Sequence, residues 1–182
     1  RWAVVNEVYA TVSGQISQRA KLSFETYVQQ YYFKQVIAAA NKRLTVLTDG
    51  MFILRCKEGA KNMRSQSGLD LDVLDRSTGL WRDVSTLSGG ESFMASLALA
   101  LGLSDVVQSR SGGVRLDAMF IDEGFGSLDE NALRQAMEVL TRLAGGKRLV
   151  GVISHMPELK ERIERKVIVT KTVSGSKLRV ET

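Results

Sequence analysis

Two short apolar runs with a single amphipathic stretch between them set the strongest limit on what this chain can fold into. Ala118-Met119-Phe120-Ile121 closes in Asp122-Glu123, and the run over 149–153 closes in Ser154-His155. Apolar runs of this length without alternation read as strands buried on both faces. Between them, Leu133, Ala136, Met137, Leu140 and Leu143 fall at helical spacing, and Gly145-Gly146 ends that helix. Strand–helix–strand order demands a crossover, and crossovers join parallel strands with a right-handed connection. The expected fold class is therefore α/β, a parallel sheet with flanking helices and small antiparallel strands beside it.

The rest of the chain fits around that unit. Trp2, Val5, Tyr9, Val12 and Ile16 recur at spacings of three and four, a coiled-coil seam of a little over two heptads. The pattern falters over 17–23, where Ser23 can cap a second helix carrying Phe24, Val28, Tyr32, Val36, Ala39 and Arg43 inward, with Tyr27, Tyr31 and Phe33 widening the face. Asp49-Gly50 stops it. The chain starts inside this helical pattern without an initiator Met, so it is expected to be a piece of a longer protein. Residues 1–48 then form a coiled-coil end and lead-in helices, and 49–182 form a lobe. Within the lobe, 51–57, 69–73 and 81–84 read as strands, the second alternating so that one face is wet. Residues 59–68, with Lys61 and Arg64, read as a surface loop, with a nucleic-acid contact as the alternative. Pro157 opens a charged helix reaching about Glu164, and 167–172 with 177–180 make a hairpin through Ser174-Gly175.

Composition excludes several classes. The 182 residues suffice for a sizeable core, and 44% hydrophobic with 25% charged content is ordinary for a globular protein. A net charge of +5 suits a polyanionic partner without requiring one. The single cysteine, Cys56, rules out an internal disulfide and a cysteine zinc cluster, and suits a reducing compartment. No apolar run is expected to reach the roughly 20 residues of a membrane span, and no signal-peptide pattern opens the chain. A cytoplasmic protein with no membrane partner is expected.

Chemistry concentrates at three places. Ser88, Gly89, Gly90 and Glu91 precede a long run of helix formers. Ser88 and Glu91 have capping-box spacing, and the glycines leave the positive helix end open to an anion such as phosphate. A capped core helix with a glycine turn reads equally well from these residues. Asp122 and Glu123 end a buried strand, the sheet edge where α/β proteins bind ligands. Asp122 could hold magnesium and Glu123 could deprotonate a water; an acidic strand end feeding a solvated turn is the alternative. His155 ends the next strand and is expected at the same edge. Asp129 can be the N-cap of the following helix.

In this order the four features resemble the signature motif, the Walker B strand, the D-loop (Ser127-Leu128-Asp129) and the switch histidine of the ABC-type ATPases. The resemblance implies that Asp122 coordinates magnesium, that Glu123 polarises the hydrolytic water, and that His155 contacts the γ-phosphate of ATP. It implies that Ser88 to Glu91 bind, in trans, a nucleotide held by another head, and that Asp129 bridges the two halves. ABC transporters usually place Pro after the Asp-Glu pair and SMC proteins usually place Val-Asp there. The form Asp122-Glu123-Gly124-Phe125-Gly126 is similar to the SbcC family, as are residues 91–101 and 151–155. No glycine here is followed by Lys and then Ser or Thr, since Gly146-Lys147 runs on to Arg148, so the phosphate loop is lacking. The resemblance therefore implies a C-terminal lobe whose partners are its own N-terminal lobe, a second head, an SbcD-like nuclease subunit near residues 1–47 and double-stranded DNA. It implies a nucleoid-associated role in double-strand-break or hairpin processing. A single histidine cannot build a two-metal nuclease site, so cutting is assigned to the other subunit. An SMC-type DNA-tethering scaffold is the alternative.

Overall fold

The buried half of one long helix decides how the chain packs. The computed structural model describes residues 2–12, 24–57, 69–110, 116–145, 149–173 and 175–181. Helix α1 spans Trp2–Val12 and α2 spans Phe24–Leu47. The side chains of α2 that go inside are Val36, Ile37, Ala40, Leu44 and Leu47. Of the expected inward set only Val36 is buried; Phe24, Tyr27, Tyr31 and Tyr32 are exposed. The crossing with α3, Gly89–Arg110, sets the buried face. A Cβ on Gly102 would stand 2.6 Å from the Ala40 nitrogen and 2.7 Å from the Val36 oxygen, so the two backbones meet where no side chain intervenes. Arg43, expected inward as apolar cover, instead pairs with Asp105 of α3 at 3.0 Å. Trp2, Val5 and Tyr9 of the expected seam are exposed on α1. Ile16 and the Ser23 cap lie outside the described residues, as do the loop over 59–68 and Gly146. The backbone after α2 turns through Asp49 at φ 47° and Gly50 at φ 77°.

Strands β1 (Phe52–Cys56), β2 (Leu71–Asp75) and β3 (Leu80–Asp83) form an antiparallel sheet in that order. Asn41 of α2 docks this sheet: its amide donates to the Leu54 carbonyl and accepts from the Leu54 N–H, both at 2.8 Å. Strand β2 begins two residues later than expected, and its alternation breaks. Asp72 and Val73 are adjacent yet both buried. Asp72 is tolerated there because Arg55, its register partner on β1, lies 3.4 Å away.

Helix α3 carries much of the core, with Met94, Ala95, Leu97, Ala98 and Leu101 buried. An 18-residue window within Gly89–Ser109 has a mean hydropathy of 1.3, so by length and composition the helix could cross a membrane, contrary to the expectation that no run would. Its buried residues belong to the same cluster as Leu44, Leu54, Val73 and Leu140, which makes it a core helix. Strands β4 (Ala118–Asp122) and β5 (Leu149–Ile153) are parallel, joined through α4 (Glu130–Ala144). They were expected to be buried on both faces. Instead Met119, Ile121, Val150 and Val152 pack against the core, while Phe120, Leu149 and Ile153 are exposed. Among the described residues, helices cover one face of this pair only. Helix α5 (Pro157–Arg162) stops two residues short of Glu164, and β6 (Lys166–Thr172) pairs with β7 (Gly175–Glu181) as the expected hairpin. The class is α/β, as the order of elements required.

Candidate ATPase site

Parallel pairing of β4 and β5 sets Asp122 opposite Ile153, and the ladder runs one residue further, the Glu123 N–H donating to the Ile153 carbonyl at 2.9 Å. The chain then turns through two left-handed residues, Glu123 at φ 57° and Gly124 at φ 91°. Glycine takes that conformation freely; a long side chain does so only where its surroundings hold it there. What holds it is a short 3-10 turn, Phe125–Ser127, with Phe125 fully buried and its ring 4.8 Å from that of Phe93 on α3. A Cβ on Gly124 would come within 2.4 Å of the Phe93 ring. The Ser127 hydroxyl donates to the Gly124 carbonyl at 3.0 Å, closing the turn. Sequence reasoning missed the Phe93–Phe125 anchor. Its only signal is an aromatic residue framed by two glycines, a pattern that by itself says no more than room for a sharp turn.

The consequence is an exposed carboxylate–imidazole pair. His155 Nδ1 lies 3.1 Å from Glu123 Oε1. Their side chains are 81% and 58% exposed, so both are accessible to a ligand. The strand ends thus bring Glu123 and His155 together as expected, with Asp122 exposed at the same edge. A water approaching Glu123 would meet a proton acceptor whose position is fixed by the turn below and the imidazole beside it. Asp122 presents hard oxygen ligands of the kind magnesium takes. No group of three or more His, Cys, Asp or Glu that could hold a metal occurs among the described residues. This donor set fits magnesium, which is content with one or two carboxylates and fills its shell with water and phosphate oxygens.

Ser88 and Glu91 form the capping box. The Ser88 N–H donates to Glu91 Oε2 at 2.7 Å and the Glu91 N–H reaches Ser88 Oγ at 3.4 Å. The glycines have a use beyond leaving the helix end bare. A Cβ on Gly90 would stand 3.0 Å from the Ser127 carbonyl oxygen, and one on Gly89 3.3 Å from the Ser127 Cβ. They let the first turn of α3 abut Ser127 and Leu128 of the same chain. Asp129 accepts the Ala132 N–H at 2.8 Å as the N-cap of α4. Four of the motifs read from the sequence therefore stand on one connected support: α3, the turn after β4, and the ends of β4 and β5.

A parallel strand pair ending in Asp-Glu and His, with the Ser88-capped α3 packed on the turn after β4, is thus the architecture of the site. Solved structures bear out that fold. One, from work on ATP-driven dimerisation and DNA-stimulated activation of SMC ATPases, superposes with a TM-score of 0.66 at 14% identity, covering 86% of this chain and 89% of that one. An Smc head with an extended coiled coil, bound to the C-terminal domain of ScpA from Pyrococcus furiosus, gives 0.59 at 14% identity, covering 85% and 36%. Residues 60–142 match the family described as SbcC/RAD50-like, Walker B motif. The SbcC component of the nuclease SbcCD from Vibrio cholerae is 51% identical over 163 residues, and that from Treponema pallidum is 46% identical over 156. These matches take in 90% and 86% of this chain but only 16% and 15% of those proteins. The chain belongs to the SbcC/RAD50-like family.

Proposed function

We propose that the chain is the C-terminal lobe of an SbcC-like ATPase head, with 1–48 leading in from a coiled coil and 49–182 forming the lobe proper. Joined to an N-terminal lobe carrying the phosphate loop, it binds and hydrolyses ATP with magnesium. Two such heads close on two nucleotides, and the cycle regulates a nuclease subunit acting on DNA ends, in the cytoplasm at the nucleoid. Magnesium, when bound, supplies the charge that screens the phosphates. Asp122 is the residue to hold it. Glu123 takes the proton of the attacking water, His155 orients that carboxylate and reaches the terminal phosphate, and Ser88, Gly89, Gly90 and Glu91 meet the nucleotide of the opposite head. Ser127, Leu128 and Asp129 tie that contact to the strand end. The nuclease subunit docks near residues 1–47, where Tyr27, Tyr31 and Tyr32 are exposed.

The observation that carries this reading is the Glu123–His155 pair, held at 3.1 Å on a left-handed turn at the end of a parallel strand pair. Glu123→Gln in the full-length protein tests it. Gln keeps the shape and the contact with His155 but cannot accept a proton. Nucleotide binding is expected to persist while turnover falls by roughly 10²–10⁴-fold, the span of general-base contributions. Unimpaired turnover would remove Glu123 from its role.

A further inference from the structure

Arg82 lies outside every motif described above, yet its side chain reaches the signature turn. It stands on β3 opposite Val73, with 27% of its side chain exposed. Its Nη1 donates to Thr86 Oγ1 at 2.8 Å and its Nη2 to Asp75 Oδ2 at 3.3 Å. The same Nη2 is 3.7 Å from Glu91 Oε2, the oxygen that also accepts the Ser88 N–H. The guanidinium lies 5.8 Å from the centre of the Phe52 ring. One carboxylate oxygen thus joins the cap of α3 to the antiparallel sheet. A carboxylate in the first turn stabilises a free helix because it faces the positive end. It also repels a second anion arriving at that turn, and at a few ångströms in a partly desolvated site this repulsion is substantial. Asp75, Thr86 and Phe52 fix the guanidinium on the sheet side of Glu91, where it counters that charge without occupying the turn.

We propose that Arg82 is a positioning residue of the signature turn. It neutralises the Glu91 carboxylate and holds it back, so that the turn can accept the phosphate of a nucleotide carried by a second head. The proposal rests on the reading of Ser88 to Glu91 as a nucleotide contact. The test follows the ATP concentration at which full-length heads close on each other, together with turnover at saturating ATP. Arg82→Gln is expected to raise the half-closing ATP concentration about three- to tenfold, the effect of losing one partly exposed charge pair, with saturated turnover retained. Glu91→Gln keeps the cap, since Gln serves at that position of a capping box, and removes the charge. Glu91→Gln sets its own baseline, because Glu91 belongs to the turn. Adding Arg82→Gln to it should shift the closing concentration no further. Arg82→Lys, which keeps the cation, should close near the wild-type concentration. An Arg82→Gln effect as large in the Glu91→Gln background as in wild type, or an Arg82→Lys protein as impaired as Arg82→Gln, overturns the proposal. Ser88→Arg is measured alongside. If it closes normally, the nucleotide reading of the turn fails; if it blocks closure while Arg82→Gln changes nothing, only the role of Arg82 fails. Should Arg82→Gln not fold, Asp75→Asn is compared with Asp75→Asn/Arg82→Gln, in which Glu91 alone loses its cation and position 75 carries no unpaired carboxylate.

Discussion

Gly124 shows how a single position ties the site to the core. It needs φ near 91°, and any side chain there would meet the Phe93 ring that packs on Phe125. Gly124→Ala combines left-handed strain with a clash beneath the carboxylate–imidazole pair. It should cost about 1–3 kcal/mol in a denaturant titration. It should also lower turnover of the assembled head further than that loss explains, because relaxing the clash moves Glu123. That Asp122, Glu123 and His155 gather at one edge was legible in the sequence for a simple reason. Asp122, Glu123 and His155 end apolar runs, and parallel strand order carries such ends to one edge. The support was not legible. Nothing in the spacing of Phe93 and Phe125 says that their rings touch, or that Arg82 turns toward Glu91 and not toward solvent; both depend on how α3 lies against the antiparallel sheet.

That placement is decided between elements. Helices α2 and α3 approach at Gly102, where a Cβ would fall under 3.0 Å from backbone atoms of both Val36 and Ala40. Backbone cannot step aside as a side chain can, so Gly102→Ala should force the helices apart at a cost of roughly 1–3 kcal/mol, read as a lower unfolding midpoint. Periodicity put helix α2 in the right place but chose the wrong face, because the aromatic residues of its first turns outweighed the small Ala40 that the crossing requires. The antiparallel sheet allows a pH argument. Lys57 Nζ donates to Asp83 Oδ2 at 2.8 Å, and this bond, with the Ser85 N–H, holds the Asp83 carboxyl well below its ordinary 3.8. The same bond raises Lys57 above its ordinary 10.5. A depressed acid stabilises the fold above its unfolded pKa and loses that contribution as pH falls through the folded one; a raised base does the converse. The pair is therefore fully stabilising between 3.8 and 10.5 and fades outside that window. Asp83→Asn keeps the cap on Ser85 but not the charge, so its unfolding midpoint should fall less steeply than wild type below pH 3.8. Since both groups are partly exposed, the difference should shrink in high salt.

At the scale of the molecule, apolar faces stay open among the described residues on both the β4–β5 pair and the hairpin. On the β4–β5 pair, Phe120 lies over Gly151, with Leu149 and Ile153 beside it at 63% and 54% exposure. On the hairpin, Val167 pairs with Val180 and Val169 with Leu178, and all four are more than 60% exposed. Continuous apolar runs announce that both faces of a strand are to be covered but not by which chain, and so the sequence suggested complete burial where the lobe supplies half. The chain spans 16% of the length of its Vibrio cholerae relative. If a phosphate-loop lobe is that cover, Phe120→Ser with Leu149→Ser should lower two independent measurements. Light scattering of the 182-residue chain alone should fall, because an exposed apolar patch on a strand pair invites self-association. Affinity for the separately expressed phosphate-loop lobe should also fall, by at least roughly tenfold, since burying each such side chain contributes about 1.5–3 kcal/mol. Paired substitution of the exposed Val4 and Val8 on α1 provides the comparison, leaving lobe affinity unchanged. Equal losses from both pairs would mean that the open sheet face is not where the lobes meet.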